Sequence, residues 1–174
     1  MPIKNCFFIF VLIIFIQSTL LAQNKIPKAE KLQEDVGDIK FDPKIDKADF
    51  YLCHKDFIIQ YYNFGTSYNG GGRGIKDFIY KRYHYDSAYK LATGFITIRF
   101  VINCKGQTDR FRLSEIDNHY HPTTFDNGLK RQLLKICKAL NQWIPGKDSK
   151  GNIYDSYYYI NFKLVKGQIL NITP

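Results

Sequence analysis

The feature that most constrains this chain is a ten-residue run of almost strict alternation, Gly94-Phe95-Ile96-Thr97-Ile98-Arg99-Phe100-Val101-Ile102-Asn103. Ile96, Ile98, Phe100 and Ile102 share one face, and Thr97 and Arg99 share the other. A period of two is that of a half-buried strand and excludes a helix here. Lys105-Gly106-Gln107 then offers a turn, since glycine tolerates the positive φ of tight hairpins. Residues 108–116 return with Phe111 and Leu113 on one side and Arg110 and Arg112 on the other. The expectation is an antiparallel hairpin with one apolar face.

The flanking segments supply what that face must be buried against. Ile75, Phe78 and Ile79 recur at helical spacing, which predicts an amphipathic helix over residues 74–83. Leu129, Leu133, Ile136, Cys137 and Leu140 mark three turns of a second helix, with Lys130, Arg131, Lys135 and Lys138 turned outward. Pro122-Thr123-Thr124 precedes it, with Thr124 as the expected cap. Pro145 cannot extend the helix and Gly146 permits a sharp reversal, so the corner Trp143-Ile144-Pro145-Gly146 ends it. Trp143 continues the apolar stripe and is expected in the core. Residues 153–165 alternate Tyr158, Ile160, Phe162 and Leu164 against Tyr157, Tyr159, Asn161 and Lys163, the longest predicted strand. A turn at Lys166-Gly167-Gln168 leads to a short strand over 169–172. A further strand is predicted over residues 56–62. Thirteen Tyr and 14 Phe among 174 residues fit such a sheet-rich single domain.

The N-terminal region reads differently. Lys4 precedes the apolar run 7–16, and a small residue, Ala22, stands before Gln23, so residues 1–22 read as a cleavable signal peptide. The alternative is that the segment is retained as an uncleaved anchor. Residues 23–50 are polar and charged, and are expected to be a flexible lead-in, with order beginning near Phe50. The domain proper is expected over 51–174. Export with loss of the signal leaves Cys53, Cys104 and Cys137. Cys137 lies on the apolar face of a helix, whereas Cys53 and Cys104 each lie near a strand end, which makes them the expected disulfide. Closing a loop of that length stabilises by roughly 3–4 kcal/mol in the chain-entropy model. Three reduced thiols are the alternative.

Residue patterns that would mark a reaction or a ligand are sparse. The net charge is +9, but Lys and Arg are scattered rather than clustered, so no nucleic-acid partner is expected. Gly70-Gly71-Gly72 lacks the spacing of a phosphate-binding loop. His119 and His121 flank Tyr120 at a spacing that suits a metal on a strand, yet no ligand set completes them, and no metal or cofactor is expected. Glu115, Asp117 and Asp126 form no acid–base pattern, and Asp109 reads as a surface charge. A secreted enzyme is kept only as a remote alternative.

In order, Gly70-Gly71-Gly72 with Ile75 and Phe78, the strand from Gly94 to Val101, Lys105-Gly106, Trp143-Ile144-Pro145-Gly146, and Tyr159-Ile160-Asn161-Phe162-Lys163-Leu164 resemble the C-terminal domain of TonB-type proteins, in a form like that of the Bacteroidetes group. The resemblance covers about residues 68–165. It implies a periplasmic α+β domain, a short antiparallel sheet with two helices on one face, in which Gly94, Gly106, Trp143, Pro145 and Gly146 are structural. It also implies a non-catalytic function: binding an envelope protein or peptide, such as the box segment of an outer-membrane transporter, by adding it as a strand at a sheet edge. The expected edge is the strand 153–165, with Tyr157, Tyr159, Asn161 and Lys163 tuning specificity and the strand 169–172 as a possible cover. The family's energy transducers carry a long Pro-rich rod. A lead-in of fewer than thirty residues reaches under about 100 Å, so a released binding domain is expected ahead of an anchored transducer.

Overall fold

The computed structural model describes residues 38–54 and 57–173. The expected signal peptide and the lead-in up to residue 37 lie outside the described residues. Seven strands and two helices follow in the order β1 (Ile59–Gln60), β2 (Ser67–Tyr68), α1 (Gly71–Tyr80), β3 (Gly94–Ile102), β4 (Thr108–Asp117), α2 (Asn127–Lys138), β5 (Trp143–Ile144), β6 (Ser156–Val165) and β7 (Gln168–Thr173), with a 3₁₀ turn at Ser87–Tyr89. The fold is α+β. The main sheet runs β1-β6-β3-β4, with β7 also paired to β6. It is mixed rather than purely antiparallel, because β1 lies parallel to β6. β2 and β5 form a second, two-stranded sheet that local periodicity does not announce.

The alternation in β3 does what its period dictates. Ile96, Ile98, Phe100 and Ile102 join Ile160, Phe162 and Leu164 of β6 in one buried cluster with Ile75 and Ile79 of α1 and Leu129, Leu133, Ile136 and Cys137 of α2. Both helices therefore cover the same face. Burying a large aliphatic side chain contributes about 1.5–3 kcal/mol, so this layer carries the domain's stability. Trp143 belongs to it at 6 % exposure, edge-on to Tyr68 and Phe100 and against Tyr158, with Nε1 donating to the Leu140 carbonyl. The hairpin turn packs beneath it. Gly106 has φ +75°, and a Cβ there would stand 2.7 Å from the Trp143 carbonyl oxygen. At Gly94 an added Cβ would run into the Ile116 carbonyl of the neighbouring strand. Pro145 follows β5, and Gly146 donates its N–H to the buried Thr66 hydroxyl.

Several boundaries differ from the sequence expectation. α1 begins at Gly71 rather than residue 74, because Gly70 caps it in the left-handed region and accepts the Gly74 N–H. α2 is capped by Asp126, whose carboxylate accepts the N–H groups of Gly128 and Leu129, and not by Thr124. The strand expected over 56–62 shrinks to Ile59–Gln60, since Asn63 and Thr66 bond back to Gln60 and Tyr61 and turn the chain away. β6 starts at Ser156, with Ile153 in a lone bridge to Lys147.

The largest difference lies on the sheet face away from the helices. Residues 39–50, expected as lead-in, are packed there. Ile39 and Leu52 are buried against Val101 and Tyr157, with Phe50 and Ile58 alongside. A bulge makes this possible. Arg110, at φ 57°, and Phe111 both stand opposite Phe100, so the parity of β4 changes and Asp109 lands on the same face as Val101. Asp109, buried rather than at the surface, accepts the Lys47 N–H. Arg112 makes a bidentate pair with Asp46 at 2.8 and 2.7 Å and also donates to the Lys40 carbonyl. Among the described residues every buried side-chain polar atom has a partner.

Candidate peptide-binding edge

β6 sits at the centre of the question, because the expected site residues lie on it. Tyr157, Tyr159, Asn161 and Lys163 do share the face away from the helices, opposite Val101, Arg99, Thr97 and Phe95 of β3. Their environments differ sharply. Tyr157 is 5 % exposed beneath Ile39 and Leu52, so it cannot meet a guest. Tyr159 meets Tyr61 edge-on at 5.6 Å. A hydrogen bond with Tyr159, reinforced by burial, pushes the Tyr61 hydroxyl up to about 12. Asn161 accepts the Thr97 hydroxyl at 2.6 Å. Lys163 lies exposed, with its ammonium 5.9 Å from the Phe95 ring.

The backbone of β6 is not an open edge, which corrects the expectation. β3 takes one side along its whole length. On the other side β1 pairs with Ser156 and Tyr157, and β7 with Asn161 through Val165. The turn explains this closure. Lys166 and Gly167, at φ 50° and 79°, reverse the chain within two residues. Gly167 donates to the Ala92 carbonyl and accepts the Tyr83 hydroxyl. Burial pushes that hydroxyl up to about 12. β7 is part of the core, since Ile172 is 0 % exposed in the main cluster and Ile169 packs against it.

The open edge is therefore displaced by one strand. At the far side of the sheet β4 is blunted. Asp117 donates to the His121 carbonyl and Thr123 to the Glu115 carbonyl, and the Arg112 guanidinium takes the Phe111 carbonyl. β7 pairs with β6 alone among the described strands. It carries a bulge at Leu170, between the pairs Ile169–Leu164 and Asn171–Lys163, and Leu170 is 60 % exposed. The short strand expected over 169–172 does lie against β6, but nothing in the sequence signals that its outer side is left unpaired among the described strands.

The other sequence candidates take structural parts. His119 and His121 are exposed, with ring centroids 6.4 Å apart. Asp117 accepts both backbone N–H groups, His121 first in effect, which holds its carboxyl below the usual range. Glu115 accepts the Phe125 N–H and the Lys130 ammonium, tying β4 to α2. Cys53 and Cys104 are bridged, and Cys137 is free and buried, with its thiol pushed up by desolvation. Compared with known proteins, the chain matches no family model, no curated protein and no solved structure at a significant level.

Proposed function

We propose that this is a TonB C-terminal-like domain of the cell envelope, a non-catalytic module that binds an extended peptide or protein segment by strand addition, in the service of outer-membrane transport. The observation that carries the reading is the outer side of β7, a six-residue strand that pairs with β6 alone among the described strands, as the two-residue β1 also does, and so offers the longer run of backbone to a guest. Backbone groups there offer affinity, and the exposed Leu170 offers a contact for alternate guest side chains. Asn161 and Lys163 of β6, paired in register with Thr173 and Asn171, stand one strand further in. The Cys53–Cys104 disulfide accords with an oxidising compartment.

The test uses synthetic extended peptides copied from the N-terminal segments of outer-membrane transporters. Amide shifts on binding should concentrate at residues 168–173, and N-methylation of alternate peptide backbone nitrogens should abolish them. Binding that survives N-methylation, or shifts confined to another surface, would rule strand addition out. Sequencing the N-terminus of the exported protein separates a released domain, cut after Ala22, from an anchored transducer.

A further inference from the structure

Three segments remote in sequence meet at one end of the sheet, below the hairpin turn between β3 and β4. Cys53 comes from the stretch packed on the back of the sheet, Cys104 from the turn, and Asp155 from the residue before β6. Their sulfur and carboxylate atoms all lie within 4.8 Å of one another. Asp155 is 0 % exposed, and among the described residues no cationic side chain forms an ion pair with it, unusual for a buried carboxylate. It is held instead by backbone. One oxygen accepts the Cys104 N–H and the other the His54 N–H, each at 2.8 Å, and its own carbonyl accepts the Ile59 N–H at 3.0 Å. Each oxygen keeps a lone pair beyond those bonds. The carboxylate is thus fixed against both cysteines by the backbone that carries them.

We propose that, once its disulfide is reduced, this cluster binds one thiophilic divalent cation of the zinc class through Cys53, Cys104 and Asp155. The chemistry balances simply. A dithiol or phosphine reductant supplies two electrons and the S–S bond breaks. The two thiols then lose their protons to solvent as the cation binds, and water fills the fourth position. Zinc–sulfur bonds of about 2.3 Å at tetrahedral angles ask for sulfurs about 3.8 Å apart. The Cα atoms of the two cysteines stand 6.1 Å apart, which accommodates that separation with side-chain rotation alone. Cys53 and Cys104 are half-buried rather than sealed, leaving reductant and cation a way in. The disulfide and the metal are then two alternative staples between the same segments. The inference does not depend on the proposed peptide-binding edge.

The experiment takes the chain carrying Cys6→Ser and Cys137→Ala, so that only these two thiols remain, and titrates it with Co²⁺ and Zn²⁺ after phosphine reduction. The expected result is a one-to-one thiolate-to-cobalt charge-transfer band, displaced by Zn²⁺ and absent from the oxidised chain. Zn²⁺ should also raise the melting temperature of the reduced chain. Asp155→Asn should weaken Co²⁺ binding at least about tenfold, and Cys53→Ser should abolish the band. No band in the reduced chain, or a band of equal affinity in Asp155→Asn, would overturn the proposal. Should reduction unfold the chain, failure of Zn²⁺ to restore its circular dichroism would overturn it equally.

Discussion

Single residues in this domain act through what their removal would leave behind. Trp143 fills the space between the two sheets and the core and satisfies its indole N–H on the Leu140 carbonyl. Trp143→Ala should cost about 3–5 kcal/mol, measured by denaturant unfolding. An unchanged midpoint would mean the ring is not core. Asp46 and Arg112 pose a subtler case. Arg112's hydrogen bonds hold the Asp46 carboxyl below its usual value, and the Asp46 side chain is 1 % exposed. A carboxyl whose folded pKa is depressed stabilises the fold above its unfolded pKa, and that stability is lost as pH falls through the folded value. The acid limb of the stability curve should therefore flatten below about pH 4 in Asp46→Asn, with a neutral-pH loss of about 1–3 kcal/mol. If the mutant follows the wild-type curve at every pH, the pair contributes nothing.

At the scale of elements, the decisive question is whether β7 is a cover or a member of the sheet. A displaceable cover would carry little buried apolar surface. Ile172 instead lies fully inside the main cluster, and the turn before it is bonded to Ala92 and Tyr83. Deleting residues 167–174 should therefore unfold the domain or lower its midpoint severely, by at least the roughly 2–5 kcal/mol of one large aliphatic truncation. A truncated domain that stays folded and binds envelope peptides more tightly would make β7 a competitor for its own edge. β4 shows the contrasting device. Its outer edge is spent on the loop 119–124 and on Arg112, which is how natural sheets avoid edge-to-edge association.

The whole molecule is held by a clamp that closes across the sheet's back. Residues 39–54 are pinned by Ile39 and Leu52, by Asp46 with Arg112, by Lys47 with Asp109, and finally by the disulfide. The bridge spans 51 residues and contributes roughly 4 kcal/mol in the chain-entropy model. Intact mass of the exported protein should be two hydrogens below the reduced value. One thiol, Cys137, should become titratable only on unfolding, because it is fully buried. Three titratable thiols in non-reducing denaturant would contradict the bridge. Cys53→Ser should lower stability by a similar amount, and the remaining anchors should keep Ile39 protected from hydrogen exchange longer than an unpacked segment would be.

What the sequence by itself determined is what local period and turn chemistry encode. Alternation at Ile96–Ile102 and Tyr158–Leu164 set the strands and their buried face, spacing at Leu129–Cys137 set α2, and Gly106 and the Lys166-Gly167 pair set the reversals. Those signals are short-ranged because a side chain's direction follows from its own backbone. The tertiary structure alone decided the rest. The bulge at Arg110 moved Asp109 to the other face, a parity change that no alternation predicts. A charged lead-in became a packed strap because one of its few apolar residues, Ile39, joined Leu52 just beyond it over Val101 and Tyr157. The free edge passed from β6 to β7, and Asp155 met two cysteines from other segments, because burial and pairing join residues that sequence distance keeps apart.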